Sequence, residues 1–97
     1  MNPNFLKSLG LAQRAGKCVS GEELIYQIDK KKIKLVLIAS DASDRTKETL
    51  VHKCERSQIP YLSILTRDEL STAIGKNNRV AVGISDEGFS KLLNSYL

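Results

Sequence analysis

Strand-like and helix-like patterns of apolar residues alternate along this chain from one end to the other. The run Leu35–Ala39 is continuously apolar and rich in branched residues, which indicates a strand that is covered on both faces. Shorter strands are predicted at 17–19, 60–65 and 80–84. Five helices are predicted around the strands, at Phe5–Ala12, Leu24–Ile28, Thr46–Cys54, Thr66–Ile74 and Phe89–Tyr96. The order α-β-α-β-α-β-α-β-α is typical of an α/β fold with helices on both faces of a mixed or parallel sheet.

Several of the predicted helices begin at capping signals. Ser20-Gly21-Glu22-Glu23 and Thr66-Arg67-Asp68-Glu69 have the capping-box pattern, in which a hydroxyl and a carboxylate each bond a free backbone N–H. Ser20 is therefore expected to cap the second helix. Ser43 or Asp44 is the expected N-cap of the third helix, and Gly75 is expected to end the fourth.

Length and charge restrict the class of protein. The 97 residues suffice for one compact domain, residues 1–97. The net charge of +4 and the pI of about 9.2 favour a polyanionic partner such as nucleic acid. We expect a cytoplasmic protein with no membrane partner, since no apolar run approaches a membrane span, the N-terminus lacks a signal-peptide layout, and Cys18 and Cys54 form no CxxC.

Signals of catalysis are sparse in this sequence. The one histidine, His52, lies two residues from Cys54, and side chains at that spacing diverge on a helix. No HExxH, CxxC pair, nucleophile elbow, GxGxxG or Walker loop is present. We therefore expect a protein that is not an enzyme and that uses no cofactor or metal.

Basic residues provide stronger signals, although each has a simple structural explanation. The run Lys30-Lys31-Lys32 with Lys34 is typical of a helix C-terminus, where the helix dipole stabilises cations. The segment Lys76-Asn77-Asn78-Arg79 is typical of a surface loop. Either group can also contact phosphates, but from these residues alone the structural explanation is favoured for both.

Glu22 and Glu23 likewise have two interpretations. Acids in the first turn of a helix stabilise it by roughly 0.3–1 kcal/mol. Carboxylates can also accept hydrogen bonds from guanine N1–H and N2–H2 groups, which distorted RNA pairs expose. An acid that faces phosphates needs neighbouring cations, and Lys17 and Arg79 are expected to supply them if the two loops are adjacent.

Several segments together resemble the kink-turn RNA-binding ribosomal protein superfamily, and most nearly its small bacterial YlxQ-like branch. The resemblance extends over nearly the whole chain in order and spacing. The segments that carry it are Gly10–Lys17, Ser20–Glu23, Lys34–Ser43, Ile59–Tyr61, Glu69–Leu70 and Ala73–Lys76.

This resemblance implies a three-layer α/β/α sandwich with a mixed sheet of about four strands, and RNA binding without catalysis. In the superfamily, the start of the second helix enters a widened major groove and contacts tandem sheared G·A pairs. The loop before the last strand covers a flipped-out nucleotide. The matching segments in this chain are Lys17–Glu23 and Ile74–Val80.

The superfamily signature Gly-x-Asn-Glu, followed three residues later by lysine, is only partly present. Glu23 matches the Glu, Glu22 stands at the Asn and Tyr26 at the lysine, while Gly21 matches the Gly only if one residue is deleted. The loop Lys76–Arg79 is polar where the superfamily loop is typically apolar. We therefore expect more phosphate contact and a steeper salt dependence.

The leading hypothesis is a monomer that binds structured or ribosomal RNA, with the ribosome as a candidate partner. The alternative is a protein-interaction module on the same fold with weak or non-specific RNA affinity. The residues expected at the RNA are the phosphate-binding Arg14, Lys17, Lys76 and Arg79, the helix-capping Ser20, the base-reading Glu22 and Glu23, Asn77 and Asn78 at a looped-out base or ribose, and Gly21 and Ile74 in the contacting segments.

Overall fold

The computed structural model describes residues 2–97, and over that range helices and strands alternate in the predicted order. The elements are α1 (Pro3–Arg14), β1 (Cys18–Ser20), α2 (Glu22–Asp29), β2 (Leu35–Ile38), α3 (Asp44–Arg56), β3 (Tyr61–Leu62), α4 (Arg67–Ile74), β4 (Ala81–Ile84) and α5 (Glu87–Asn94). Strands β2, β3 and β4 are shorter than the apolar runs that predict them, whereas β1 has the predicted three residues but begins one residue later.

The strands form one mixed sheet in the order β1-β4-β2-β3. Strand β4 is antiparallel to both β1 and β2, whereas β2 and β3 are parallel. The carboxyl ends of β1, β2 and β3 therefore meet the amino end of β4 at one edge of the sheet. This edge is called the helix-start edge, because α2, α3 and α4 begin there; its residues are 21–22, 40–44, 65–67 and 78–80.

The core lies on both faces of the sheet, as the continuously apolar run predicts. All four residues of β2 are buried, with Leu35 and Leu37 facing α1, α4 and α5. Val36 and Ile38 face α2 and α3 on the other side. The predicted three-layer α/β/α architecture is confirmed. Within residues 2–97, no helix is both long and apolar enough to cross a membrane.

Local capping signals predict α3 and α4 correctly but fail for α2. Ser43 caps α3, and Thr66 with Glu69 forms the expected capping box of α4. The prediction that Ser20 caps α2 is wrong, since Gly21 is the N-cap and makes no side-chain hydrogen bond. Ser20 is instead the last residue of β1, opposite Val82. Pairing with β4 holds its backbone in the sheet, one residue too early to cap the helix.

The apolar spacing of the last helix predicts one face made of Phe89, Leu92, Leu93 and Tyr96, and this prediction is only partly correct. Leu93 is fully buried, whereas the neighbouring Leu92 is 38% exposed. Phe89 and Tyr96 are half-buried against the core on the α1 side. The helix therefore packs along Phe89, Leu93 and Tyr96, which lie three or four residues apart.

Candidate nucleic-acid interface

A cleft of about 500 Å³ opens at the helix-start edge, between α2, α3 and the segment that enters β4. Its lining combines apolar residues, of which Leu24, Leu50 and Ala81 belong to the core, with polar and charged ones. This combination suits a partly apolar ligand that also carries polar groups. The lining residues are Gly21, Glu22, Leu24, Ile25, Arg45, Thr46, Thr49, Leu50, Asn78, Arg79, Val80 and Ala81.

The Arg79 guanidinium lies directly beside the start of α2. A Cβ atom at Gly21 would come within 3.3 Å of Nη1 of Arg79, and Gly21 has a φ of 72°. A residue without a side chain therefore allows the close approach of backbone and guanidinium. Nε of Arg79 is buried and finds no hydrogen-bond partner within residues 2–97. The guanidinium thus lines the cleft with an Nε–H donor that is available to a ligand.

The loop Lys76–Arg79 is fixed to α4 by side-chain hydrogen bonds. The hydroxyl of Ser71 accepts from the backbone N–H of Arg79 at 2.8 Å. Nη1 of Arg67 donates to the side-chain oxygen of Asn78 at 3.3 Å. Asn78 has a φ of 53°, a left-handed conformation that asparagine tolerates better than most residues. The loop therefore presents Lys76 and Asn77 to solvent from a braced position.

A second hydrogen bond joins α4 to the turn before α3. The backbone N–H of Arg67 donates to Oδ1 of Asp41 at 2.8 Å. The starts of α3 and α4 are thereby linked at the helix-start edge. The segments around the cleft are consequently preorganised, which reduces the entropy that a ligand must remove on binding.

The two acids at the start of α2 have different surroundings. Both Glu22 and Glu23 are exposed, but Glu22 lines the cleft. Oε1 of Glu23 accepts a hydrogen bond from Nε2 of Gln27 at 3.0 Å. Glu22 therefore offers its acceptors toward the cleft, and Glu23 offers its acceptors from the neighbouring helix surface.

The sheet register places Lys17 away from these acids. Its carbonyl accepts hydrogen bonds from the backbone N–H and the hydroxyl of Ser85, at 2.9 and 3.2 Å. Ser85 follows β4, whereas Arg79 precedes it. At roughly 3.3 Å per residue, Lys17 lies about 13 Å along β1 from Gly21. The expectation that Lys17 and Arg79 together flank the acids is therefore wrong, and Arg14, at the end of α1, lies on the side of Lys17.

The remaining residues expected at the RNA divide between loop and core. Lys76, Asn77 and Asn78 are exposed on the loop before β4. Ile74 is 4% exposed and packs in the core. The side chain of Ile74 therefore supports α4 from within and does not reach the surface of the interface.

Sequence reasoning missed the contribution of α3 to the cleft. Arg45, Thr46 and Thr49 all line it. The hydroxyl of Thr49 donates to the carbonyl of Arg45 at 2.9 Å, and Thr46 accepts from the hydroxyl of the N-cap Ser43 at 2.9 Å. Their spacing places them on one helix face, and the sequence shows that spacing. It does not show which other element of the fold this face meets.

The groups with shifted pKa values lie outside the cleft. Burial raises the pKa of Cys18 to about 11. Burial, followed by the nearby Glu55 carboxylate, raises that of Cys54 to about 11 as well. Desolvation and the same carboxylate raise the pKa of Tyr61. Both thiols are therefore neutral near pH 7 and are poor nucleophiles there.

Comparison with known proteins gives a consistent family match. The sequence pattern of the Ribosomal protein L7Ae/L30e/S12e/Gadd45 family matches residues 4–94. The protein named RNA-binding protein YlxQ from Bacillus subtilis (strain 168) is 43% identical over 90 residues, which are 92% of this chain and 90% of the relative. The protein of the same name from Enterococcus faecium is 42% identical over 84 residues, which are 86% and 81% of the two chains.

Solved structures match the fold over the same extent. A Bacillus halodurans protein described as having unknown function has a TM-score of 0.87 at 40% identity, over 94% of this chain and 93% of that one. The Giardia lamblia 15.5kD RNA binding protein has a TM-score of 0.78 at 21% identity, over 98% and 86% of the two chains. At that identity the second likeness concerns the fold alone.

Proposed function

We propose an RNA-binding function for this chain, which belongs to the Ribosomal protein L7Ae/L30e/S12e/Gadd45 family. The observation that carries the proposal is the cleft at the helix-start edge, where the acceptors of Glu22 and the cations Arg45 and Arg79 meet around an apolar lining. The two relatives that match most of the chain are both named RNA-binding protein YlxQ. The proposed role is binding, without a catalytic step.

The electrostatics of this edge favour phosphates beside the cleft. Helices α2, α3 and α4 all begin there, and a helix N-terminus carries a partial positive charge. Arg45 and Arg79, which line the cleft, add full charges. Lys76 adds another on the exposed loop. These positive charges are therefore expected to attract the phosphates of an RNA backbone that follows the helix-start edge.

Base recognition is proposed for the acids of α2. Guanine in a sheared or otherwise distorted pair exposes N–H donors, and a carboxylate accepts from two of them together. Glu22 lies in the cleft and Glu23 one residue further along α2. This arrangement supports recognition of a G·A-containing internal loop, of the kind found in a kink-turn. Asn77, which is exposed on the loop before β4, is proposed to contact a looped-out base or ribose.

The test compares a kink-turn RNA with the same RNA after its G·A pairs are replaced by Watson–Crick pairs. Wild-type protein is expected to bind the first more tightly at physiological salt, by filter binding or gel shift. Glu22→Ala and Glu23→Ala are each expected to cost about 1–3 kcal/mol on the kink-turn RNA and little on the control.

Glu87→Ala is the matched control variant, because Glu87 is an exposed acid in the first turn of α5, which begins at the opposite end of the sheet. It is expected to leave the preference for the kink-turn unchanged. Equal affinity of the wild-type protein for the two RNAs would contradict the proposal and favour a protein-interaction module. Equal losses of Glu22→Ala on both RNAs would show that this acid only stabilises the helix.

A further inference from the structure

The sheet edge opposite the cleft carries a group of lysines drawn from separate parts of the chain. We call it the lysine edge; it comprises Lys17, Lys30, Lys31, Lys32 and Lys34, which are all exposed. Lys17 precedes β1 and Lys34 precedes β2. The antiparallel β4 ends between them, so that these two residues lie on either side of its last residues.

Backbone hydrogen bonds fix this arrangement. The N–H of Lys34 donates to the carbonyl of Ile84 at 2.7 Å, and the carbonyl of Lys17 accepts from the N–H of Ser85 at 2.9 Å. Because neighbouring strands lie about 4.8 Å apart, the backbones of Lys17 and Lys34 are roughly 10 Å apart. Their side chains make none of these bonds and remain free for a ligand.

The end of α2 adds the other three lysines. Lys30 is the C-cap of the helix. The N–H groups of Lys31 and Lys32 donate to the carbonyls of Ile28 and Gln27, both at 3.0 Å. These bonds turn the chain toward β2, so that all three lysines precede Lys34 on the same edge. The helix dipole favours cations at this end, and it does not account for the presence of Lys17.

Nearby acids do not neutralise the lysine edge. Asp29 pairs with Lys53 at 3.9 Å, and Glu87 pairs with Lys91 at 3.8 Å. Oδ2 of Asp86 accepts from the N–H of Phe89 at 2.9 Å. In the part of the chain that the structure describes, none of the five lysines forms an ion pair. Asp86 keeps its charge while it accepts from Phe89, but the five lysines outnumber Asp29, Asp86 and Glu87, so the local charge is positive.

We propose that the lysine edge binds the phosphate backbone of a second RNA segment, so that one protein molecule bridges two parts of a folded RNA. Flexible ammonium groups bind phosphates as point charges and do not read bases. The length of the central strands separates this edge from the cleft, so that the two surfaces face in opposite directions. The inference extends the proposed function by adding a ligand site with its own chemistry.

The experiment saturates the protein with unlabelled kink-turn RNA and then titrates in a labelled plain RNA duplex, at several potassium chloride concentrations. The preformed complex is expected to bind the duplex. The double variant Lys17→Gln and Lys34→Gln is expected to weaken that second binding about tenfold and to reduce the slope of log K against log salt by about 2. Its affinity for the kink-turn RNA is expected to stay within a factor of two.

The matched control is Lys7→Gln with Lys47→Gln, which removes the same charge from positions outside both surfaces. Equal weakening by the two double variants would overturn the proposal, because net charge alone would then explain it. A complex that binds no duplex would also overturn it. If the protein fails to prefer the kink-turn RNA but the free chain still binds duplex through Lys17 and Lys34, the proposed function and the bridging both fail, and phosphate binding by the lysine edge stands.

Discussion

The hydroxyl of Ser71, in α4, accepts a hydrogen bond from the backbone N–H of Arg79 at 2.8 Å. Ser71 is 7% exposed, so that few waters can replace this bond. The contact sets the position from which Arg79 enters the cleft. A buried side chain outside the cleft lining thus supports a residue inside it.

Ser71→Ala is expected to lower both the stability and the RNA affinity. The N–H of Arg79 loses its acceptor, which costs about 1–3 kcal/mol of unfolding free energy when the group stays buried. Denaturant unfolding measures this loss, and filter binding measures a several-fold fall in affinity. Ser8→Ala removes a similarly buried hydroxyl, which bonds Tyr96 at 3.2 Å, and should leave RNA binding unchanged. An unaltered affinity for Ser71→Ala would contradict the bracing role.

Gly21→Ala is expected to weaken RNA binding by displacing the Arg79 guanidinium. The new methyl group would lie 3.3 Å from Nη1, and the backbone at φ 72° and ψ −151° favours glycine, so the variant should also lose about 1–3 kcal/mol of stability. Gly16→Ala is the control, since Gly16 has a φ of 74° with no atom within 4 Å of the added Cβ. Both variants should be destabilised, and Gly21→Ala alone should bind RNA more weakly. Equal RNA affinities for the two would show that the approach of Arg79 to Gly21 does not matter.

Gly83→Ala is expected to destabilise the fold by about 1–3 kcal/mol through overpacking. A Cβ atom at this central position of β4 would overlap Cδ1 of Leu24 and come within 3.2 Å of Ile33. Gly10→Ala serves as comparison, because its methyl group would meet only the carbonyl of Ala73, at 3.4 Å. Alanine favours the helix at that site, so its unfolding free energy should stay equal or rise. If Gly83→Ala has the same thermal unfolding midpoint as the wild-type protein, Leu24 and Ile33 can move to accept the added methyl group at little cost.

Both cysteines are expected to resist alkylation in the native protein at pH 8. Burial raises the pKa of each thiol from 9.0 to about 11. The reactive thiolate fraction should therefore be about a hundredfold lower than in the unfolded chain. The rate of iodoacetamide labelling should increase with pH up to about 11, because the group loses its proton only there. Native labelling at pH 8 as fast as in denaturant would contradict the burial of these thiols.

The order of elements could be predicted because its signals are local. The apolar run of β2 and the helical spacing of Leu24 and Ile28 each follow from side chains close together in sequence. The caps at Ser43 and Thr66 could be predicted for the same reason. The cap at Ser20 could not, because pairing of Ser20 with Val82 depends on residues more than sixty positions away.

The sequence alone determined the alternating α/β plan, the buried central strand, and the presence of acids and cations near the ends of its elements. Only the tertiary structure decided which of these groups share a surface. The direction of β4 places Arg79 beside Gly21 and sends Lys17 to the opposite edge with Lys34. Strand direction and register depend on long-range backbone hydrogen bonds and on packing across two layers, which no local pattern of residues specifies.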